Sequence, residues 1–127
     1  MNLDVKTRWL EKLRSNEYPQ ARCVLKNEQG YCCLGVLCEL YMETHPEVHW
    51  IQREDDYCEN IPFYRLVKDT NESYAITALP SEIKEWAGIT TPTGEYMDEN
   101  EKVNSLTDIN DKRKSFVEIA IVIEEKF

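Results

Sequence analysis

The segment YCCLGVLCELY, residues 31–41, constrains the fold most, because it is almost wholly apolar and its period changes within it. It follows a turn that ends at Gly30, so its first residue is predicted to start a strand. From the third residue onwards the apolar side chains recur at helical spacing, at Cys33, Val36, Leu37, Leu40 and Tyr41. This change predicts a strand-to-helix corner packed in the core, where Gly35 lets the helix lie close to the sheet.

The rest of the chain alternates between helix and strand patterns. Apolar stripes predict helices at residues 4–14, 34–42, 81–87 and 115–125. Alternation and turn residues predict strands at residues 21–26, 48–53, 63–68 and 74–77, besides the one that begins at residue 31. Asp4 is expected to cap the first helix and Gly88 to close the third. Ser115 and Glu118 form a capping box that opens the last helix.

These elements predict one α+β domain over residues 1–127, with a single small antiparallel sheet of two hairpins and a strand, packed by about four helices. The acidic segments 54–60 and 90–104 are predicted loops, and residues 69–73 are the predicted turn of the second hairpin. The last helix is apolar around most of its circumference, which predicts a central helix or a contact in a homo-oligomer.

Hydropathy and cysteine content indicate a cytoplasmic protein. No apolar run approaches the ~18 residues of a membrane span, so no membrane partner is expected. Residues 1–13 lack the apolar centre of a signal peptide. The five cysteines are an odd number, and cytosolic thiols stay reduced, so a disulfide framework is not expected.

Charge is distributed unevenly along the chain, whose formal net charge is −9. Residues 1–27 carry six basic side chains against three acidic ones, whereas the remainder is strongly acidic. An acidic body is a poor binder of duplex DNA, because phosphate neutralisation supplies most non-specific affinity. A local basic face can still hold a small anion, and the alternative is a solvated helix face on an acidic protein.

Three interpretations of the cysteines are open. Zinc would need four convergent ligands, and the nearest set is Cys38, His45, His49 and Cys58. A nucleophile would need a lowered pKa, which Cys33 could gain near the start of a helix. Buried cysteines, however, behave as small hydrophobes, and Cys32, Cys33 and Cys38 occupy core positions. The core interpretation is favoured, and no metal site is expected.

The segment DIND, residues 108–111, carries spaced carboxylates and an amide, which can bind a hard cation or contact a ligand. The favoured alternative is turn chemistry, in which the Asn and Asp side chains bond nearby backbone N–H groups. No phosphate-binding glycine motif, hydrolase elbow or zinc-protease motif occurs. The sequence therefore predicts no catalytic residue and no cofactor.

Several motifs, taken in order, resemble small proteins encoded by tailed bacteriophages and prophages. They are WLEKLRSNEYPQ (9–20), YCCLGVLC (31–38), LPSEIKEWAG (79–88), LTDIND (106–111) and SFVEIAIVIE (115–124). The resemblance implies a phage origin and not an activity. Phage accessory proteins include sponges that sequester cyclic nucleotides or cyclic ADP-ribose-type signals of host defence.

These observations predict a phage accessory protein, with an anti-defence role in the cytoplasm of the infected host, that binds a small anionic nucleotide-type signal without catalysis. Arginines would hold phosphate through paired N–H donors, while Asn and Asp would read ribose hydroxyls or a base edge. The predicted ligand-binding residues are Arg8, Arg14, Gln20, Arg22, Asn110 and Asp111. The alternative is an acidic protein–protein inhibitor of a host defence or nucleic-acid enzyme. A third interpretation is an enzyme that uses Cys33 or a carboxylate.

Overall fold

Helices pack against antiparallel sheets in the computed structural model, which describes residues 1–53, 61–68 and 73–127. The helices are α1 (Leu3–Arg14), α2 (Cys33–Met42), α3 (Ser81–Ala87), α4 (Leu106–Asp111) and α5 (Phe116–Lys126). The strands are β1 (Lys26–Asn27), β2 (Gly30–Tyr31), β3 (Val48–Arg53), β4 (Phe63–Lys68), β5 (Ser73–Ala75), β6 (Glu95–Met97) and β7 (Val103–Ser105). This arrangement confirms the predicted α+β class.

The larger sheet contains both predicted hairpins, β1–β2 and β4–β5. Its strands β2, β1, β4 and β3 lie side by side in that order, and β5 also pairs with β4. Strand β3 pairs with β4 from Val48 opposite Lys68 to Arg53 opposite Phe63, so it occupies the whole of one edge of β4. Strands β1 and β5 therefore share the other edge, β1 at Phe63 and β5 at Leu66.

The corner at the start of α2 is buried in the core, as predicted. Every residue from Cys33 to Cys38 is buried. A Cβ atom at Gly35 would lie 1.9 Å from the backbone oxygen of Leu25, so only glycine allows the helix to approach this closely. The indole N–H of Trp9 in α1 donates to the carbonyl oxygen of Cys33 over 2.9 Å and joins α1 to the same corner.

The helix termini follow the sequence, with one exception. Gly88 closes α3 in the left-handed region, with φ of 75°, and Ser115 with Glu118 forms the capping box of α5. At α1 the cap is Asn2, whose side chain accepts hydrogen bonds from the N–H groups of residues 4 and 5. The prediction that Asp4 caps α1 is therefore wrong. Asp4 lies instead in the first turn, where its negative charge interacts favourably with the helix dipole.

The predicted strand at residues 21–26 is reduced to Lys26–Asn27. The residues before it run irregularly, because the backbone of Cys23 is left-handed, with φ of 73°, a value that a strand does not accommodate. A hydrogen bond from the N–H of Ala21 to the carbonyl oxygen of Tyr31, 2.7 Å long, attaches this segment to the sheet. This irregular segment forms one wall of a cavity.

The acidic stretch 90–104, predicted as a loop, contains most of a two-stranded sheet formed by β6 and β7. Its turn is closed by Asp98, whose carboxylate accepts hydrogen bonds from the N–H groups of Asn100 and Lys102. Glu101 in this turn has a left-handed backbone, with φ of 59°. The described structure therefore has two sheets where one was predicted, because polar turn chemistry rather than apolar content closes the ribbon.

Helices α4 and α5 follow. The DIND segment lies in the short helix α4, which Ser105 caps by accepting a hydrogen bond from the N–H of Asp108 over 3.1 Å. Helix α5 packs against α1 and buries one face. Its other face leaves Val117 and Ile121 at least half exposed. Helix α5 is therefore not surrounded by the described part of the chain, and the oligomer contact stays a prediction.

Residues 54–60 and 69–72 lie outside the described part of the chain. The predicted acidic loop, most of the turn of the second hairpin and Cys58 fall there. Among the described helices, none has the length and apolar character that a membrane crossing requires.

Candidate functional site

A cavity of about 280 Å³ opens where the irregular segment before β1, the connection from β5 to α3, and helix α4 meet. We call it the threonine cavity, and its lining residues are Cys23, Val24, Cys32, Thr77, Ala78, Thr93, Thr107 and Asp111. Its polar side chains are three hydroxyls and one carboxylate, and these described lining residues include no lysine or arginine. Such groups form hydrogen bonds with hydroxyl, amide and carbonyl groups of a small ligand.

Backbone hydrogen bonds fix the walls of the threonine cavity. The N–H of Leu25 donates to the carbonyl oxygen of Ile76 over 2.8 Å, next to Thr77. The N–H of Thr107 donates to the carbonyl oxygen of Thr93 over 3.3 Å. The first bond joins residues 51 positions apart in the sequence and the second joins residues 14 positions apart, so the fold brings the walls of the cavity together.

Asp111, the last residue of α4, carries the charge of the threonine cavity. Its Oδ1 accepts a hydrogen bond from the backbone N–H of Cys23 over 3.0 Å, which holds the left-handed residue in place. Its second carboxylate oxygen, like the hydroxyls of Thr77 and Thr93, forms no hydrogen bond with any described residue. These three groups therefore keep their full hydrogen-bonding capacity among the described residues, whereas the Thr107 hydroxyl already bonds to Ser105.

Asn110, beside Asp111, is fully buried and bonded on both sides of its carboxamide. Its Oδ1 accepts hydrogen bonds from Nε2 of Gln20 at 2.9 Å and from the N–H of Cys33 at 3.2 Å. Its Nδ2 donates to the carbonyl oxygen of Ala21 at 2.8 Å. The interpretation of Asn110 as part of a local turn is wrong, because Cys33 is 77 residues away. Asn110 instead joins α4, α2 and the irregular segment.

Arg8 lies on a different face, in a network of charges between α1 and the end of α2. Its guanidinium pairs with Glu43 at 3.0 Å and with Asp4 at 3.8 Å. Lys12 pairs with the same Glu43 carboxylate at 2.7 Å. The hydrogen bond from Lys12 lowers the pKa of Glu43 below its ordinary value, against an opposing effect of burial, and Arg8 adds to the lowering. The charge of Arg8 is thus largely compensated.

Arg14 is compensated in the same way, by Glu124 of α5. The hydrogen bond from Arg14 lowers the pKa of the Glu124 carboxyl group. Arg14 and Gln20 do line a common groove of about 340 Å³ at the start of α5. The amide of Gln20, however, donates to Asn110 and to the backbone oxygen of Lys114, so both of its N–H groups have protein partners.

The six predicted ligand-binding residues therefore divide into two groups. Gln20, Asn110 and Asp111 lie together, in hydrogen-bonded contact with the irregular segment that also carries Arg22. Arg8 and Arg14 are each paired with a glutamate of another helix or its end, and of the two only Arg14 shares a groove with Gln20. Of the six, only Asp111 lines the threonine cavity.

A basic segment, residues 112–114, directly follows Asp111 and is exposed. Lys112 and Lys114 each pair with an acidic side chain four residues away, at 3.4 and 3.5 Å. Arg113 has a left-handed backbone, with φ of 71°, and forms no ion pair within the described residues. Three basic residues therefore follow the cavity carboxylate directly in the chain, and of these Arg113 is the one without an ion pair among the described residues.

Cys32, Cys33 and Cys38 are buried free thiols, which confirms the core interpretation. Burial raises the pKa of Cys32 to about 12, and burial raises those of Cys33 and Cys38 well above the ordinary range. Cys33 is therefore a poor nucleophile despite its place at the start of α2. Cys23 differs, because it is disulfide-bonded, and the expectation that all thiols stay reduced is wrong for it.

The predicted zinc set does not converge in the part of the chain that is described. There, no group of three or more His, Cys, Asp or Glu side chains is arranged to hold a metal ion. Cys38 is buried in the core, the ring of His45 stacks on Tyr41 with 3.8 Å between ring centroids, and Cys58 lies outside the described residues.

Sequence reasoning missed the three threonines of the cavity. Thr77 follows β5, Thr93 precedes β6 and Thr107 lies in α4. No motif links these three positions, because only the packing of the segments brings their hydroxyls to one cavity. The sequence does single out Asp111, the last residue of α4, which lines the cavity.

A family model described as "Domain of unknown function (DUF8296)" matches residues 1–127, so the chain belongs to this family. No curated protein and no solved structure matches the chain. The family description states no activity, and the function has to be inferred from the threonine cavity.

Proposed function

We propose that this member of the DUF8296 family binds a small anionic nucleotide-type ligand in the threonine cavity and does not turn it over. The observation that carries the proposal is that a carboxylate and three hydroxyls line the cavity and that a basic segment directly follows this carboxylate in the chain. A nucleotide has hydroxyl and base groups that can bond to the carboxylate and the threonine hydroxyls, and a phosphate that can bond to the basic segment.

Binding without catalysis is favoured by the state of the cysteine thiol that lines the cavity. Cys32 has a pKa of about 12 because of its burial, so almost none of it is thiolate at neutral pH. Its sulfur also accepts a hydrogen bond from the N–H of Gly35 at 3.4 Å. A ligand held there would meet hydrogen-bonding groups rather than an activated nucleophile.

The biological setting belongs to the same proposal. The motif resemblance to small phage and prophage proteins supports an accessory protein that acts in the cytoplasm of an infected bacterium. A cavity that binds without turnover would act there as a sponge for a nucleotide signal of host defence. This setting rests on the resemblance of the motifs, whereas the binding itself rests on the cavity.

A thermal-shift screen tests the binding directly. The panel contains cyclic dinucleotides, cyclic trinucleotides and cyclic ADP-ribose isomers. A ligand present at about 100 times its Kd adds about 2.7 kcal/mol, which for this chain length raises the unfolding midpoint by roughly 8–13 °C. Mass analysis of the ligand released by denaturation should recover it intact, whereas a cleaved product would make the protein an enzyme.

Alanine variants locate the site. Asp111→Ala and Arg113→Ala should each reduce the shift, while Arg14→Ala, which alters a pair with Glu124 away from the cavity, should leave it unchanged. Loss of binding in Arg14→Ala with normal binding in Asp111→Ala would move the site to the groove at the start of α5. A flat panel would contradict the proposal.

A second candidate function is an acidic inhibitor of a host protein, and the ribbon β6–β7 favours it. Met97 and Val103 face each other across this ribbon and are 51% and 67% exposed. Glu95, Glu99 and Glu101 are exposed on the same ribbon and its turn. An exposed apolar pair surrounded by acids is suited to a basic protein surface. Binding to a basic host enzyme that weakens steeply with salt and fails in Met97→Glu would support this function.

A further inference from the structure

We infer that the threonine cavity receives the sugar of the ligand, through a free ribose hydroxyl bonded to Asp111, while the phosphate stays outside on the basic segment 112–114. The inference rests on the proposed function and specifies which part of the nucleotide enters. It follows from the charges of the two regions and from which polar atoms have no protein partner.

The exposed carboxylate of Asp111, which lines the cavity, disfavours a phosphate inside it. Asp111 is the only ionised side chain among the described lining residues, and it is negative. A phosphate at hydrogen-bonding distance from it would meet a like charge with no lining lysine or arginine to offset the repulsion. A neutral hydroxyl is instead attracted, because it can donate a hydrogen bond to the charged carboxylate of Asp111.

The hydrogen-bonding groups match a sugar. One oxygen of Asp111 is bonded to the N–H of Cys23, so the carboxylate is fixed and its second oxygen remains as an acceptor. The hydroxyls of Thr77 and Thr93 can both donate and accept. The hydroxyl of Thr107 is oriented by a hydrogen bond with Ser105, and the two hydroxyl oxygens lie 3.1 Å apart. A ribose, which carries hydroxyls that donate and accept, can satisfy all of these groups together.

The basic segment provides the complementary site for phosphate. Arg113, which forms no ion pair within the described residues, offers a guanidinium suited to bidentate phosphate binding. It lies two residues after Asp111 in the chain, and the inferred orientation assigns the phosphate to it and the sugar to the cavity. The acidic body would oppose any deeper entry of the phosphate.

Calorimetric titration with matched nucleotides tests this orientation. The probes are cyclic di-AMP and ADP-ribose, each beside its 2′-deoxy analogue, titrated into the wild type, Asp111→Asn and Asp108→Asn. Asp108 is an exposed carboxylate of the same helix that does not line the cavity, and it serves as the matched control. Because it pairs with Lys112, its substitution can change the affinity for a ribonucleotide and its deoxy analogue alike, so the preference between the two is the readout. Thermal midpoints without ligand confirm that each variant is folded.

The wild type should bind at least one ribonucleotide about tenfold or more tightly than its deoxy analogue, as expected for a hydrogen bond to a charged group. Asp111→Asn should reduce that preference severalfold by weakening the ribonucleotide and not the deoxy analogue. Asp108→Asn should keep the preference. Free ribose should compete only at far higher concentration, and competition at equal concentration would identify a sugar rather than a nucleotide.

The two levels of the proposal fail differently. If no probe in the screen or the titrations binds, the proposed function is wrong. If ribonucleotides and deoxynucleotides bind equally, and Asp111→Asn affects both alike, the nucleotide function stands and the orientation of the sugar toward Asp111 is overturned.

Discussion

The side-chain amide of Gln20 donates a hydrogen bond to the carboxamide oxygen of Asn110 over 2.9 Å, although 90 residues separate the two in the chain. The same Asn110 oxygen accepts from the N–H of Cys33, so one buried side chain joins three parts of the fold. Asp111, the next residue, lines the threonine cavity. Asn110 therefore supports the segments around the threonine cavity and does not itself line it.

The first prediction concerns the stability that Asn110 provides. Asn110→Ala leaves the N–H of Cys33 and the carbonyl of Ala21 buried without partners, which should lower the free energy of unfolding by about 2–4 kcal/mol. Urea denaturation at neutral pH measures the change. Asn100→Ala, at an exposed position of the β6–β7 turn, is the matched control and should change stability by less than about 0.5 kcal/mol. Equal effects of the two substitutions would contradict the role of Asn110.

The second prediction concerns the close approach at Gly35. In an ordinary helix interior, replacing glycine by alanine stabilises by about 1 kcal/mol. Here the added methyl would lie 1.9 Å from the backbone oxygen of Leu25, so Gly35→Ala should destabilise by at least about 2 kcal/mol. The urea midpoint of Gly35→Ala should therefore fall. A rise in the midpoint would contradict the close packing of the corner against Leu25.

The third prediction concerns the thiols. Because burial raises the pKa of Cys32 to about 12, its thiolate fraction at pH 8 should be about a thousandfold below that of an exposed thiol. Cys33 and Cys38 are buried in the same way. Alkylation of the native protein should therefore leave all three unmodified, and alkylation in guanidinium should modify all three, as read by peptide mass analysis. Rapid native modification of Cys33 would restore the nucleophile interpretation.

The fourth prediction concerns the pH dependence of the Glu43 network. Its folded pKa is lowered, chiefly by the hydrogen bond from Lys12, so its stabilisation is present above the unfolded value near 4.5 and is lost as the pH falls through the lowered value. Because the carboxylate is largely exposed, Glu43→Gln should cost no more than about 1 kcal/mol at pH 7. The difference in midpoint from the wild type should shrink as the pH falls below 4.5.

Glu11→Gln provides the control for that experiment. Glu11 is exposed on α1, lines a surface groove together with Lys12 and Glu43, and forms no ion pair within the described residues. Its substitution should change the midpoint little at either pH. If Glu43→Gln behaves like this control at pH 7, the network between α1 and α2 contributes nothing measurable.

The elements predicted best are those set by local patterns. The capping box at Ser115, the left-handed Gly88 and the buried corner at Gly35 all depend on neighbours within a few residues or on apolar period. The site depends instead on contacts between distant segments. Asn110 reaches Cys33 and Gln20, and Asp111 reaches Cys23, none of which any local pattern can indicate.

The ion pairs of the N-terminal arginines could not be predicted from the sequence either. A basic N-terminal quarter predicts an anion site, but the sequence does not show that Arg8 meets Glu43 and that Arg14 meets Glu124. Once these pairs form, the charge is compensated on the protein surface. The basic residues that directly follow the cavity carboxylate in the chain are 112–114, which were not singled out from the sequence.

The most direct test is a binding titration in which the threonine cavity is filled. Ala78 lines the cavity and is half-buried, so Ala78→Trp places an indole in it, while Ser81→Trp adds the same group at an exposed position at the start of α3. The probe is the nucleotide that gives the largest shift in the thermal screen. Ala78→Trp should lose at least about 100-fold in affinity, and Ser81→Trp should bind as the wild type does. A folded Ala78→Trp variant that binds with wild-type affinity would contradict the assignment of the threonine cavity as the ligand site.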